Sequence, residues 1–174
     1  RGAAAAAASR AQPGPRRALL METRQVSKTD YEDCRVGERA ATPGRTITET
    51  DVVQFAGLTG DWTRIHTDEE YAKQTPYGGR VAHRMLVLSI GSALRLRAGL
   101  LPEQTPALYG IEKVRLLNPT RLGDTIHTEG EVTAMRELDG GRGLIRVAGS
   151  VQNQAGATVA TFSMRAVVAR RGTP

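Results

Sequence analysis

A carboxylate and two imidazoles lie close together in the sequence, within residues 59–86. Asp61 precedes His66 by five residues, and His83 follows further along the same segment. Neighbours on a helix face are three or four residues apart, so Asp61 and His66 can converge only across a bent loop. A carboxylate and an imidazole that converge can hold one water molecule, one group taking a proton as the other gives one. The spacing therefore indicates a candidate site for acid–base chemistry.

The same residues also have a purely structural interpretation. Loop aspartates commonly bond their own backbone, and a single histidine is more often a surface or hydrogen-bonded residue than a catalyst. For His83, near a predicted helix start, the expected role of the side chain is to bond backbone groups and shape a pocket. The spacing alone leaves both interpretations of Asp61 and His66 open.

Sequence signals fix the loop around Asp61 at both of its ends. Gly60 gives the backbone freedom just before Asp61. Thr67 with Glu70 three residues later forms a capping box, which predicts a short helix from about Asp68.

Two longer helices should hold this unit in place. Thr50 is the predicted cap of a helix that runs through residue 58. A second helix is predicted over residues 81–97, and it is apolar or small at every position from 85 to 94. This composition predicts burial on nearly all sides, although so short an apolar run is too short to span a bilayer.

Four strands are predicted after the second helix, over residues 109–117, 125–136, 144–153 and 158–168. Turn-forming residues separate them, for example the run Asp139-Gly140-Gly141. In the last strand Phe162 and Met164 alternate with polar residues, as in a half-buried antiparallel strand. One buried helix followed by consecutive antiparallel strands predicts an α+β fold in which the sheet wraps around the helix.

The motif residues resemble a known family. The pattern G-D-x-x-x-I-H, followed by G-x-V-A-H-x-M-L, resembles the MaoC-like dehydratases, which include the R-specific enoyl-CoA hydratases. The matching positions are Gly60, Asp61, Ile65, His66, Ala82, His83, Met85 and Leu86. The resemblance covers roughly residues 35–170 and implies the hotdog fold, an antiparallel sheet wrapped around a long central helix.

Three residues depart from the family motif. Thr63 stands where the family has Asn, Arg64 where it has Pro, and Arg84 where it has Gly. None of these changes removes a proton-transfer group, and Thr63 can supply a hydroxyl where Asn supplied an amide. Arg84 keeps a backbone N–H but adds a long cation, which would either narrow the pocket or reach a phosphate of coenzyme A.

The resemblance implies a reaction, the reversible hydration of a trans-2-enoyl thioester to the (R)-3-hydroxyacyl thioester, and coenzyme A is the expected carrier of the acyl group. Asp61 and His66 would be the catalytic pair, with His66 as the base toward water and Asp61 positioning that water and returning a proton to the α-carbon. The backbone N–H groups near His83 and Arg84 would meet the enolate oxygen. Substrate-binding positions would be Arg80, Val81 and Ser92.

Substrate and partners follow from the same resemblance. Five basic residues are candidates for the phosphates of coenzyme A, with a solvated basic rim as the alternative: Lys73, Arg80, Arg84, Arg95 and Arg97. A homodimer is expected, because pairing of sheet edges would cover an open edge. Two other functions remain open, a hotdog acyl-CoA thioesterase and a non-catalytic acyl-thioester-binding module.

Length and composition bound the class of protein. The 174-residue chain is 40% hydrophobic, enough for one domain with a sizeable core. Its net charge of +6 depends on four arginines among the first twenty residues, without which 20 basic residues face 18 acidic ones. With only 4% aromatic residues, the chain gives no indication of nucleic-acid binding.

Cys34 is the single cysteine, so we expect no intrachain disulfide and a reducing compartment. The three histidines are dispersed in the sequence, and no metal and no separate cofactor are expected. We expect residues 1–22 to be a flexible Ala/Arg-rich tail and 23–174 a single domain in the cytoplasm. Met21 is the favoured natural start, and the alternative is an organelle transit peptide directing the protein to a matrix.

Overall fold

The computed structural model describes residues 28–94, 98–103 and 107–172. The predicted tail over residues 1–22 lies outside the described residues, so the domain boundary after residue 22 stays a prediction. Arg95 and Arg97, two of the candidates for phosphate binding, also lie outside them.

The described residues form a long antiparallel sheet, four α-helices and a short 3-10 helix at Tyr31–Asp33. The helices are α1 (Glu49–Thr59), α2 (Arg64–Thr67), α3 (Glu69–Lys73) and α4 (Arg84–Leu94). The strands are β1 (Arg39–Ala41), β2 (Arg45–Thr46), β3 (Ala107–Leu116), β4 (Thr125–Leu138), β5 (Arg142–Asn153) and β6 (Thr158–Ala169). The four long strands confirm the prediction, and each lies within two residues of its predicted bounds.

The sheet has the order β1-β4-β5-β6-β3, and β2 also pairs with β4. All pairs are antiparallel. The tight turn at Asp139–Gly141 that joins β4 to β5 uses positive φ angles of 70° and 67° at Gly140 and Gly141, conformations that cost Gly little. Helix α4 packs against β4 and β5 of the sheet, in the predicted α+β arrangement.

Helix α4 lies very close to the sheet at Gly91. The Thr128 hydroxyl on β4 donates to the Gly91 carbonyl at 2.9 Å, and a Cβ atom at Gly91 would lie 2.4 Å from a methyl group of Val151 on β5. Leu86, Val87 and other apolar residues of α4 join the main core against the sheet. A residue without a side chain at position 91 is therefore what allows the helix to be seated on the sheet.

Two predicted helix starts were wrong. Helix α1 is capped by Thr48 rather than Thr50, because the Thr48 hydroxyl and the Asp51 carboxylate bond each other's backbone N–H. Arg45 also binds Asp51 at 2.6 Å, which fixes this capping box against the end of β2. Helix α4 begins at Arg84 rather than at residue 81, since Val81 forms a β-bridge with Arg121 and is held in extended backbone.

Burial of α4 is also less complete than predicted. Leu86, Val87 and Leu88 are buried, but Met85 is 55% exposed in the isolated chain, and Ser89 is exposed one turn further on. The helix therefore presents one stripe away from its own sheet. No helix within the described ranges has the length and apolar character needed to cross a bilayer.

Candidate active site

The loop after α1 places Asp61 at a sharp change of chain direction. Gly60 ends the helix in the left-handed conformation, with φ of 75°, and its N–H donates to Ala56 at 2.8 Å. A Gly in this position terminates a helix without the cost that a side chain would bring. The chain then turns into α2, a single helical turn that carries His66.

One oxygen of the Asp61 carboxylate is held by Thr63. The Thr63 hydroxyl donates to Oδ1 at 2.5 Å, and the Thr63 backbone N–H donates to the same atom at 3.2 Å. The hydroxyl bond, followed by the backbone bond, lowers the pKa of Asp61 below its ordinary value. The other oxygen, Oδ2, lies 4.0 Å from Nε2 of His83. Asp61 therefore does bond its own backbone, as the structural interpretation expects, but one oxygen remains directed toward the histidines.

His66 is buried and its ring orientation is fixed. Its Nδ1 lies 2.7 Å from the Val81 carbonyl oxygen, and since a carbonyl can only accept, Nδ1 carries the hydrogen. Nε2 is then the nitrogen with a lone pair, and it has no hydrogen-bond partner among the described residues. Burial is the largest of the causes that lower the pKa of His66 below its ordinary value, so the ring is neutral at pH 7 and can accept a proton at Nε2.

His83 packs directly on His66. The two rings are stacked with centroids 3.8 Å apart, and Phe55 covers His83 at 5.1 Å. Nε2 of His83 donates to the Asp61 backbone carbonyl at 2.9 Å. The ring is 2% exposed, and its Nδ1 has no partner in the described structure. This is the arrangement expected if His83 orients the loop and shapes the pocket.

The connection between β3 and β4 holds the site together from outside the motif. The Ala82 N–H donates to the Thr120 carbonyl at 2.8 Å, and Val81 forms its bridge with Arg121. The same connection reaches the start of α1, because the Gly123 N–H donates to the Ile47 carbonyl at 2.8 Å. Sequence reasoning missed this connection, and these contacts are between backbone atoms, which carry no residue-type signal.

The predicted capping box after His66 was wrong in its residues. Thr67 ends α2, and Asp68 caps α3 by accepting from the Tyr71 N–H at 2.9 Å. Asp68 also binds Arg64 at 2.7 Å. Arg64, where the family motif has Pro, is thereby directed along the surface and does not line the cavity.

A cavity of about 390 Å³ opens beside the three titratable residues. Its lining combines these groups with an apolar wall and one arginine: Phe55, Thr59, Asp61, Ile65, His66, Tyr77, Val81, Ala82, His83, Arg84, Met85 and Pro119. Such a size and composition are typical of a site for a small organic ligand. At the first turn of α4 the Arg84 backbone N–H has no acceptor among the described residues, as is usual for helix N-termini, and it can receive developing negative charge.

Several predicted binding residues lie away from this cavity. Arg80 pairs with Glu49 at 2.5 Å and with Glu69 at 3.3 Å, so two carboxylates already neutralise it and it clamps α1 to α3. Lys73 pairs with Glu70 on the surface. The Ser92 hydroxyl donates to the Ser89 carbonyl of its own helix. Of the three predicted substrate-binding positions, Val81 alone is among the residues that line the cavity.

Asp61, His66 and His83 also form a possible donor set for a metal ion, with one ligand atom of each within 4.8 Å of the others. The sequence analysis grouped these residues as an acid–base site and not as metal ligands, because their spacing matches no zinc-ligand pattern. The His83 nitrogen that lies 4.0 Å from the carboxylate is the one that donates to the Asp61 carbonyl, so it carries a hydrogen and is not free to bind a cation. The prediction that no metal is needed stays a prediction.

Comparison with known proteins identifies the family. A family model described as MaoC like domain matches residues 33–154, and the chain belongs to this family. An (R)-specific enoyl-CoA hydratase of Rhodospirillum rubrum is 33% identical over 105 residues, which are 60% of this chain and 70% of that protein. Protein MaoC of Klebsiella aerogenes is 38% identical over 96 residues, which are 55% of this chain but only 28% of that protein.

A solved structure agrees with this assignment. The X-ray structure of a monoamine oxidase regulatory protein from Archaeoglobus fulgius shares 35% sequence identity with a TM-score of 0.76. The likeness covers 86% of this chain and 99% of that one. The predicted family and fold are thus confirmed.

Proposed function

We propose that this protein adds water reversibly to a trans-2-enoyl thioester, giving the (R)-3-hydroxyacyl thioester. One observation carries the proposal. The free Asp61 oxygen and the buried His66 face the same cavity, beside the open N-terminus of α4. The similarity to an (R)-specific enoyl-CoA hydratase supports the substrate class. Coenzyme A would be part of the substrate, and no separate cofactor is required.

The protonation states of the pair constrain the mechanism. The lowered pKa values of Asp61 and His66 give a carboxylate and a neutral imidazole at pH 7. Neither group then holds a proton for the α-carbon at the start of hydration. The water molecule must therefore supply both the hydroxyl that bonds the β-carbon and the proton that reaches the α-carbon.

In the proposed step, Asp61 Oδ2 and His66 Nε2 hold the attacking water between them. As the carbon–oxygen bond forms at the β-carbon, the proton of that water passes to the pair, and the pair then delivers a proton to the α-carbon. The enolate oxygen that forms between these events is stabilised by the Arg84 backbone N–H at the start of α4. The pair returns to its initial state, so atoms and charge balance.

The deciding experiment is a hydration assay with crotonyl-CoA, followed by the loss of absorbance of the conjugated thioester. Asp61→Asn and His66→Gln should each lower kcat by a factor on the order of a hundred. The double variant should be hardly slower than either single variant, since both residues act on one water. Clearly multiplicative losses would contradict the paired mechanism.

The same assay separates the two other classes of function. Release of free thiol without hydration would identify a thioesterase instead. Binding of coenzyme A esters with neither reaction would identify a binding module. Either result would overturn the proposal.

We also propose that the protein is a homodimer. Strand β3 is an edge of the sheet, and its first half exposes Leu108, Tyr109 and Ile111 by 59%, 63% and 38%. An exposed apolar edge is a liability that pairing with a second sheet removes. Analytical ultracentrifugation of the purified protein checks this expectation, and a monomer at micromolar concentration would refute it.

A further inference from the structure

Arg84 stands between two spaces of the molecule. It lines the 390 Å³ cavity with Ala82, and both residues also line a second space of about 10 Å³ behind it. The remaining wall of the second space is formed by Val87, Leu116, Asn118, Thr120, Val159 and Ala160. Val87, Val159 and Ala160 are each at most 3% exposed, so this space leads into the apolar core between α4 and the sheet.

The Arg84 side chain is held in that position. Its Nη1 donates to the Leu116 carbonyl, at the end of β3, with a distance of 2.7 Å. No carboxylate in the described part of the chain lies within ion-pair distance of its guanidinium. The side chain therefore spans from the first residue of α4 to the end of β3, and no other hydrogen-bond or ion-pair partner for it lies among the described residues.

We propose that Arg84 is the residue that limits the length of the acyl chain, closing the cavity so that short acyl groups are accepted and long ones are not. This inference rests on the proposed function and names its substrate class. A Gly at position 84, as in the related motif, would remove the long side chain that, with Ala82, forms the wall shared by the two spaces. Arg84 acts here through its side chain, whereas the enolate oxygen requires only its backbone N–H.

Binding of saturated acyl-CoA esters tests the proposal without requiring catalysis. Titration calorimetry with butyryl-CoA and octanoyl-CoA gives the ratio of the two affinities for each variant. In Arg84→Ala the ratio should move toward octanoyl-CoA by at least about tenfold, because additional methylenes can then be buried. Arg84→Lys, which keeps the length and a donor for Leu116, is the matched control and should keep the ratio of the unchanged protein.

Kinetics with enoyl-CoA substrates of the same two lengths should show the same shift in kcat/KM. Arg84→Ser is a second opening variant, in case Arg84→Ala does not fold. An unchanged affinity ratio in folded Arg84→Ala or Arg84→Ser would overturn the proposal. A preference of the unchanged protein for succinyl-CoA over butyryl-CoA that is lost in Arg84→Ala would also overturn the proposal. The guanidinium would then recognise a negative charge on the acyl group and would not limit the length of the acyl chain.

The two proposals fail in different ways. If no enoyl thioester is hydrated but Arg84→Ala still shifts the affinity ratio, the proposed reaction is wrong and the role of Arg84 stands. If hydration proceeds and the ratio does not move, the role of Arg84 is wrong and the reaction stands. If neither butyryl-CoA nor octanoyl-CoA binds, both are wrong.

Discussion

Replacing Gly91 by Ala should destabilise the protein, even though Ala is the better helix former. A new Cβ atom would lie 2.4 Å from Cγ2 of Val151, about 1 Å closer than a comfortable contact. Val151 is fully buried, and a β-branched side chain has few alternative rotamers. The helix or the strand would therefore have to move.

The expected change in the free energy of unfolding is the difference between two opposing effects. Overpacking of a well-packed core costs about 1 to 3 kcal/mol, and a close contact with a stiff side chain belongs in the upper half of that range. Ala in place of Gly inside a helix stabilises the helix by about 1 kcal/mol. The free energy of unfolding should therefore fall by about 1 to 2 kcal/mol, which for a domain of this size lowers the Tm by about 2 to 8 °C.

Thermal unfolding of five proteins tests this reasoning. They are the unchanged protein, Gly91→Ala, Val151→Ala and the double variant, with Ser89→Ala on the exposed side of α4 as a control for helix propensity. In the Val151→Ala background the new methyl group has room, so Gly91→Ala should become neutral or stabilising. An equal loss of stability in both backgrounds, or a gain in the unchanged background, would refute the close seating of α4 on β5.

Two further predictions concern the candidate site. Thr63→Val should lower kcat by about tenfold and raise the pKa of Asp61, because the hydroxyl that holds Oδ1 is removed. Thr63→Ser, which keeps a hydroxyl, should retain both values of the unchanged protein. Equal effects of the Val and Ser variants would show that the hydroxyl has no such role. Because burial lowers the pKa of His66, its neutral form should persist below about pH 6.5, and the acid limb of kcat/KM should have its midpoint below that value. NMR titration of the ring, assigned with His66→Gln, checks the same shift, and a midpoint above pH 6.5 would contradict it.

The long strands were predictable because their signals are local. Alternation of apolar and polar residues fixes the faces of β6, and Gly140 with Gly141 marks the turn before β5. These features depend little on the rest of the molecule. The sequence therefore predicted the bounds of the four long strands to within two residues, whereas it made no prediction of the order in which strands pair in the sheet.

Helix starts were less predictable, because several residues near each start can act as caps. Thr48 and Thr50 are equally good caps by residue type, and contacts from Arg45 to Asp51 favour the first. Thr67 and Asp68 compete in the same way before α3. At α4 the bridge between Val81 and Arg121 decides the start, and no local pattern contains that information.

The candidate site was predictable in its residues but not in its connections. Asp61, His66 and His83 are recognisable by type and spacing, and the structure brings all three together. Their orientation depends on the Val81 carbonyl and the Asp61 carbonyl, which every residue possesses. The contact of Arg84 with Leu116 likewise joins a side chain to a backbone atom of a distant strand.

The connection between β3 and β4 has a consequence for the order of folding. The motif from Gly60 to Arg84 is compact in sequence, whereas Thr120 and Arg121, which fix Val81 and Ala82, belong to a segment between long-range strand pairs. Such pairs form slowly, because distant parts of the chain must first meet. The Val81 carbonyl can therefore fix the hydrogen of His66 on Nδ1 only after the sheet has closed. During refolding, helical structure should return before the proposed hydratase activity, and the delay between them measures the closing of the sheet.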